Sequence, residues 1–467
     1  MLRKILPILV LTLSPAFAFT QSTSAPKEVM NLSLSQAIDY AMSHKADVID
    51  AQIDQKIAKQ KVREITGAGL PQLNASFELQ DYIVRPTTVF PDFLSPSIYG
   101  VLVKENLVPV SHFPASVGMF PVQFGTKYNG TIGASASQLI FDGTFLVGLK
   151  AARVYTQLAQ KMTDRTRIDV VENITKAYYG VIINQEHKKL LEANVARLQK
   201  IYDDTKAYNE AGFAEKIDVD RLKVQLNNLL VENEKVDRLL EISVDLLKFQ
   251  MGMLISSEVK LTDTLTYNAI VEEAGNNTDF YSGRIEYSLL QTQKELYGLD
   301  VKRNQAGYLP NLAAYGSLSS QALRNEFNVF DPGKQWYASF ILGAKLNLPI
   351  FDGFQKSARI QQAKLNLQKL TNDENNLKNL IDFQVKAARV SYDNGYKTLM
   401  EQKQNMELAQ DVARVTQIKY KEGVGSNLEV INAETSLREA QTNYFDALYN
   451  LIIARTDLLK AEGKLSK

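Results

Sequence analysis

The sequence predicts an internally duplicated α+β membrane protein whose chain gives four strands to a β-barrel shared between copies and spends most of its remaining length on coiled-coil helices. Three observations lead there. The N-terminus carries an export leader, two proline-free stretches carry apolar residues at heptad spacing, and short alternating segments occur twice in the chain.

Arg3 and Lys4 precede the apolar run Ile5 to Leu13, and Ala16-Phe17-Ala18 supplies a small-x-small cleavage pattern, so residues 1–18 read as a signal peptide. An anchor helix needs about 20 apolar residues, and Pro7 and Pro15 interrupt this shorter one. No later segment is apolar enough to span a bilayer as a helix, so any crossing falls to strands. Removing Arg3 and Lys4 moves the formal charge from +1 to −1, which leaves no bulk attraction for nucleic acid. The chain has no cysteine, and His44, His112 and His187 are isolated from one another. Disulfides, thiolate metal sites and most histidine-based catalysis therefore lose their raw material. Gly-rich phosphate loops and GxSxG are also absent, so we expect no catalytic residues, no metal site and no cofactor. Met162, Met251 and Met253 offer soft thioether ligands of the kind copper takes, but methionines scattered in helices are assigned to packing.

No proline falls between Val122 and Leu309 or after Pro349, which permits long helices there. Leu437, Ala440, Tyr444, Ala447, Leu451, Ala454 and Leu458 trace one heptad seam. Ile360, Ala363, Leu367, Leu370, Glu374, Leu377 and Ile381 trace a second, and Leu222, Leu226, Leu229, Asn233, Val236, Leu240, Ser243 and Leu247 a third. The polar members Glu374, Asn233 and Ser243 are expected to face either water or a partner helix. A helix from Thr144 to about Ala211 would run for about 100 Å, and one from Phe354 to about Lys421 would match it. Gly180 and Gly395 lie inside these two helices, where a mild bend, close packing or a merely tolerated glycine is expected.

The chain repeats itself. Leu70-Pro71-Gln72-Leu73 returns as Leu309-Pro310-Asn311-Leu312, and Ile140-Phe141-Asp142-Gly143 returns as Ile350-Phe351-Asp352-Gly353. Ala211-Gly212 before Ile217-Asp218-Val219 returns as Glu422-Gly423 before Leu428-Glu429-Val430. Three signatures in one order indicate duplication, with repeats at 19–265 and 266–467. The first repeat is longer by a proline-rich segment, 85–123, which lacks a helical period and is expected to be a long loop.

Between the Leu-Pro and Phe-Asp-Gly signatures each half alternates at period two. Trp336, Ala338, Phe340, Leu342, Ala344, Leu346 and Leu348 oppose Tyr337, Ser339, Ile341, Gly343, Lys345 and Asn347. Leu73, Ala75, Phe77 and Leu79 oppose Asn74, Ser76, Glu78 and Gln80; the alternation is weaker from Tyr128 to Ser137 and weaker still from Leu312 to Gln321. Each half thus supplies one hairpin. Four strands cannot close a barrel, and open edges are excluded from lipid, so chains must pool strands. Two chains would give an eight-stranded barrel filled by side chains, whereas the polar inner face favours three chains and twelve strands around an aqueous lumen. Trp336 stands where an interfacial anchor would sit, though a core tryptophan is an equal reading. Asp142 and Asp352 are expected to cap the long helices with Gly143 and Gly353 turning the chain, and Pro71 and Pro310 to end the preceding helices (about Leu34 to Thr66 and Arg284 to Asn304).

With these junctions, the duplication and the C-terminal run Tyr420-Lys421-Glu422-Gly423-Val424-Gly425-Ser426-Asn427-Leu428-Glu429-Val430, the chain resembles the TolC-like outer-membrane efflux proteins over nearly all of its mature length. The resemblance implies a homotrimer in outer-membrane lipid, with a twelve-stranded barrel continued by a helical tunnel into the periplasm. It implies an exit duct for efflux or type I secretion, without catalysis or nucleotide. The partners implied are a periplasmic adaptor of the membrane-fusion type and an inner-membrane pump, of resistance-nodulation-division or ABC type. Family members close the tunnel, iris-like, with acidic rings just past the helix tips. Glu429 matches that acidic position, whereas Asn432 replaces the next acid; Asp218 and Arg221 take the equivalent places in the first half. Tyr420 matches a tyrosine of the closed-state lock, and Gly425 stands where some members place an arginine. Gly212, Phe213, Gly423, Val424 and Gly425 fall where the family docks its adaptor. From the residues alone, a solvated tip carboxylate and a plain glycine helix cap explain these positions too. An exported coiled-coil rod without a pore would explain the heptads but leave the alternating hairpins unused.

Overall fold

The computed structural model describes residues 29–113, 118–264 and 280–465. The signal peptide 1–18, Pro114 and the repeat boundary at 265/266 lie outside them. In chain order the elements are β1 (Met30–Leu32), α1 (Leu34–His44), α2 (Ala46–Ala68), β2 (Gln72–Asp81), β3 (Thr87–Pro91), α3 (Leu94–Lys104), β4 (Met119–Gln123), β5 (Tyr128–Asp142), α4 (Gly143–Glu210) and α5 (Lys216–Met251). They continue as β6 (Val259–Leu261), α6 (Ile285–Ala306), β7 (Asn311–Arg324), β8 (Tyr337–Asn347), α7 (Gln355–Lys421) and α8 (Asn427–Ala461). The long helices α4 and α7 have 68 and 67 residues, as proline-free heptad stretches allow. Among the described residues no helix is long and apolar enough to cross a membrane.

The chain divides into two compact units. The sheet unit lies within Asp47–Asp169, Gly275–Val390 and Asp457–Lys467, and the tip unit within Met1–Ala46, Val170–Ala274 and Ser391–Thr456.

In the sheet unit, four antiparallel strands lie in the order β2-β5-β7-β8, which are the two hairpins expected from the alternation. Trp336 stands just before β8 rather than inside it. The junctions follow from local chemistry. Asp142 Oδ1 accepts hydrogen bonds from the Thr144 and Phe145 amides at 2.7 and 3.0 Å, and Asp352 Oδ2 accepts from the Lys356 amide at 2.9 Å. Both aspartates therefore satisfy first-turn donors that the helix cannot. Gly353 turns the chain with φ +64°, but Gly143 is the first residue of α4 and turns nothing. A Cβ on Gly143 would come within 2.7 Å of Leu309 Cδ1 and 3.2 Å of Ala306 Cβ, so close approach, not backbone freedom, accounts for this glycine. Glu374 faces a partner helix and not water: its carboxylate accepts from Lys294 Nζ at 2.7 Å and from the Tyr287 hydroxyl at 3.2 Å. The ammonium groups of Lys294 and Lys378 hold its pKa down to about 2.

Two further expectations need correction. The segment 85–123 is not a plain loop: β3 pairs with β4 from Thr87↔Gln123 to Pro91↔Met119, with α3 and a short 3-10 turn at Val110–His112 between them. Its clustered prolines hid these elements because Pro91 and Pro121 sit within two-stranded, edge-only pairing that tolerates a missing donor. The helix expected from Leu34 to Thr66 is broken at Lys45, whose extended backbone (φ −68°, ψ 124°) separates α1 from α2.

The tip unit is held by heptad stripes. Leu191, Leu198, Ile201, Leu222, Leu226, Leu229, Val236 and Val430 form one buried cluster, and Ile183, Leu399, Phe445, Leu448, Leu451 and Ile452 another. Gly180 lies 3.5 Å from the Tyr449 ring and Gly395 3.5 Å from Leu451 Cα, measured from where a Cβ would stand, so both glycines lie against the last helix. Ser243 accepts a hydrogen bond from Asn184 Nδ2 at 2.7 Å, a second polar seam residue that meets a partner helix. Met251 and Met253 are buried, in keeping with packing, whereas Met162 is 58% exposed in the single chain and the packing expectation does not hold for it. A parallel pair, β1 with β6, completes this unit, with Ser33 and Gln36 forming a capping box on α1 and the buried Tyr178 hydroxyl donating to Leu32 O at 3.0 Å.

Candidate channel wall and helix tips

Several rows of the sheet align residues largely of one kind across all four strands, while Ser320 interrupts the apolar face and Ile341 the polar one. One face carries the rows Leu73, Ala136, Gly316, Leu342 and Ala75, Ala134, Leu318, Phe340. The opposite face carries Ser76, Gly133, Ser319, Ser339 and Glu78, Thr131, Gln321, Tyr337. An apolar face backed by a polar one is what a stave between lipid and water requires. Among the described residues β2 and β8 each have a strand neighbour on one side only, so the sheet is open at both edges.

The helix tips are built twice with one geometry. After α4, Gly212 adopts φ +81°, its amide donates to Asn209 O at 3.0 Å and the Phe213 amide donates to Tyr208 O at 2.8 Å. After α7, Gly423 adopts φ +71°, with Gly423 N to Tyr420 O at 3.1 Å and Val424 N to Lys419 O at 3.0 Å. This is the six-to-one helix stop that a left-handed glycine permits. It leaves Phe213 and Val424 85% and 76% exposed. Nothing lies within 4 Å of a Cβ on Gly212 or Gly423, so another backbone could approach there, whereas Gly425 packs against Lys419 and Tyr420.

The acidic positions follow the two tips. Glu429 and Asn432 are exposed while their neighbours Val430 and Ala433 are buried, so the pair shares an exposed face of α8. The Ser426 hydroxyl accepts from the Glu429 amide at 3.2 Å and caps this helix. Asp218 and Arg221 form an ion pair at 3.6 Å one turn along α5. Asn427, 4% exposed, donates from Nδ2 to Asp218 O at 2.9 Å and ties the two tips together. Tyr420 meets Thr205, a buried residue of α4, hydroxyl to hydroxyl at 3.0 Å.

A polar cluster deeper in the tip unit escaped the sequence reading. Arg197 on α4 grips Glu434 on α8 with Nε and Nη2 at 2.9 and 2.8 Å, and Nη2 also donates to Asn194 Oδ1 at 2.8 Å. Asn194 in turn donates to Gln441 Oε1 at 2.6 Å, and Gln225 donates to the Thr435 hydroxyl at 2.7 Å. Aligning the repeats on Gly212 and Gly423 sets Arg197 against Leu408 and Glu434 against Lys223, so no twofold recurrence marks the pair. Among the described residues no group of His, Asp and Glu could hold a metal ion.

Comparison with known proteins agrees with this geometry. The family model described as "Outer membrane efflux protein" matches residues 291–464. The probable efflux pump outer membrane protein TtgC of Pseudomonas putida is 24% identical over 351 residues, which is 72% of this chain and 69% of TtgC. Among solved structures, the outer membrane protein VceC of Vibrio cholerae aligns at a TM-score of 0.65 and 16% identity over 92% of this chain and 96% of VceC. The open state of the Neisseria gonorrhoeae MtrE outer membrane channel aligns at 0.69 and 17% over 93% and 89%. With twice-built tips and two-faced hairpins, the chain is similar in fold and sequence to the outer membrane efflux proteins, whose family pattern its second repeat matches over residues 291–464.

Proposed function

We propose that three copies of this chain close a twelve-stranded barrel in the outer membrane and form the exit duct of a tripartite efflux or type I secretion assembly. The observation that carries this is the open four-stranded sheet, apolar on one face and polar on the other. Strand edges must be paired in lipid. Three chains supply enough strands for a water-filled lumen lined by the polar rows, where two would give a filled barrel. The helices extend into the periplasm, where the exposed Gly212-Phe213 and Gly423-Val424-Gly425 tips receive an adaptor, and an inner-membrane pump supplies the energy. A rod without a pore gives the two faces of the sheet no work.

Glu429 serves as the gate charge. It is exposed on α8 just past the tip, and one copy per chain becomes a ring of three carboxylates that attracts cations. Asn432 contributes no second ring; Asp218 is partly neutralised by Arg221, and Tyr420 steadies the closed state through Thr205. The test is the reversal potential across a bilayer holding the reconstituted protein under a salt gradient. Wild type is expected to prefer cations, Glu429→Gln to lose most of that preference, and Asn432→Asp to strengthen it. Unaltered selectivity in both variants would remove Glu429 from the gate while leaving the duct in place.

A further inference from the structure

We propose that β8 of one copy joins β2 of a second copy in a single register, the one that sets Lys345 directly opposite Glu78. This rests on the proposed closure of a barrel from several copies and specifies the joint between them.

The two hairpins are equivalent residue by residue. Leu70 corresponds to Leu309 and Asp142 to Asp352; carried along the strands, Gln72 corresponds to Asn311 and Ser137 to Asn347. Gln72 pairs with Ser137 just as Asn311 pairs with Asn347, and at the far end Asp81 pairs with Tyr128 just as Ser320 pairs with Ala338. The duplication therefore preserves register without a slip. Within the chain, β5 of the first hairpin joins β7 of the second. The next joint of the same kind brings β8, the counterpart of β5, against β2, the counterpart of β7, and these are the two open edges of the sheet.

Carrying the internal register across gives the contacts. The pair Ser135↔Ser317 becomes Lys345 opposite Glu78, Ala136↔Gly316 becomes Leu346 opposite Phe77, and Ala134↔Leu318 becomes Ala344 opposite Leu79. Apolar residues meet apolar ones, and the charged pair falls on the polar face. Charge supports the same register independently. Lys345 is the only charged residue of β8, while β2 carries Glu78 on its polar face and Asp81 at its end on the other. A slip of one residue would bring Lys345 against Phe77 or Leu79 and turn every side chain to the wrong face. A slip of two would bring it against Ser76 or Gln80. Asp81 could meet Lys345 only after a slip of three, which also turns the faces over, so among registers that keep the faces only the inherited one sets opposite charges across the joint, an arrangement that stabilises paired strands.

The chain has no cysteine, which makes the test direct. Residues directly opposite in antiparallel strands have Cα atoms about 4.5–5.5 Å apart, within disulfide reach, whereas diagonal neighbours at about 7–8 Å lie outside it. The full-length double variant Glu78→Cys, Lys345→Cys, oxidised in isolated membranes, should run as a covalent multimer that reductant dissolves. Glu78→Cys paired with Asn347→Cys or Gly343→Cys should cross-link several-fold less. More efficient cross-linking by either slipped pair would overturn the register while leaving the assembly intact. So would no cross-link in any pair when native mass still shows several chains; a monomeric native mass would instead sink the assembly itself. A cysteine-free check uses charge. Glu78→Lys and Lys345→Glu should each lower the fraction of protein that stays multimeric on heating in detergent, and the double exchange should restore it. Failure of the exchange to restore it would also count against the register.

Discussion

Leu342→Arg is expected to destabilise the membrane-inserted protein by about 2–4 kcal/mol per chain, the cost of a cationic side chain on the lipid face near the bilayer midplane. Leu342 is 77% exposed in the single chain, in the row with Leu73, Ala136 and Gly316. The assignment of that row to lipid makes a sharp contrast with Ser339, which lies on the opposite face beside Ser319. Ser339→Arg should cost less than about 1 kcal/mol because the lumen hydrates the new charge. Denaturant unfolding in lipid vesicles, followed by tryptophan fluorescence from Trp336, measures both. Equal effects from the two variants would mean that the faces have been assigned wrongly.

Arg197→Ala should destabilise the tip unit by about 3 kcal/mol. Its guanidinium donates from both Nε and Nη2 to Glu434, whose side chain is only 10% exposed. Truncating the arginine leaves a nearly buried carboxylate uncompensated and takes the donor from Oδ1 of the buried Asn194. The paired exchange Arg197→Met with Glu434→Met should recover most of the loss, since apolar replacement of a buried ion pair is close to neutral. Circular dichroism during chemical unfolding, run as a double-mutant cycle, separates the pair from its surroundings. A double variant as unstable as Arg197→Ala would place the cost in packing, not in the orphaned charge.

The sequence and the structure agree where a feature repeats or has a period. Alternation located all four staves, and heptads located the buried faces of α5, α7 and α8. Asp142 and Asp352 were legible as caps because a carboxylate followed by glycine between a strand and a heptad run has few other uses. The strands β1 and β6 were not legible, since three residues cannot display an alternation. Segment 85–123 misled because its prolines mark loops in general and edge strands only sometimes. The Arg197 and Glu434 contact has no local signature at all: it joins residues far apart in sequence whose repeat counterparts, Leu408 and Lys223, cannot form it. Thr205 stayed hidden for the same reason, and only Tyr420, its partner, was marked by the family pattern. At the tips, Gly212 and Gly423 end their helices as a glycine cap does, and the structure added the near-identical stops that hold Phe213 and Val424 outward.

The most direct test of a duct pooled from several chains is single-channel recording of the detergent-extracted wild-type protein in a planar bilayer, with the mass of the same sample measured by light scattering. The account predicts a particle of three chains and discrete, uniform conductance steps. A three-chain particle that inserts but passes no ions under any salt or voltage, or a monomer that never forms steps, would contradict it and favour the rod.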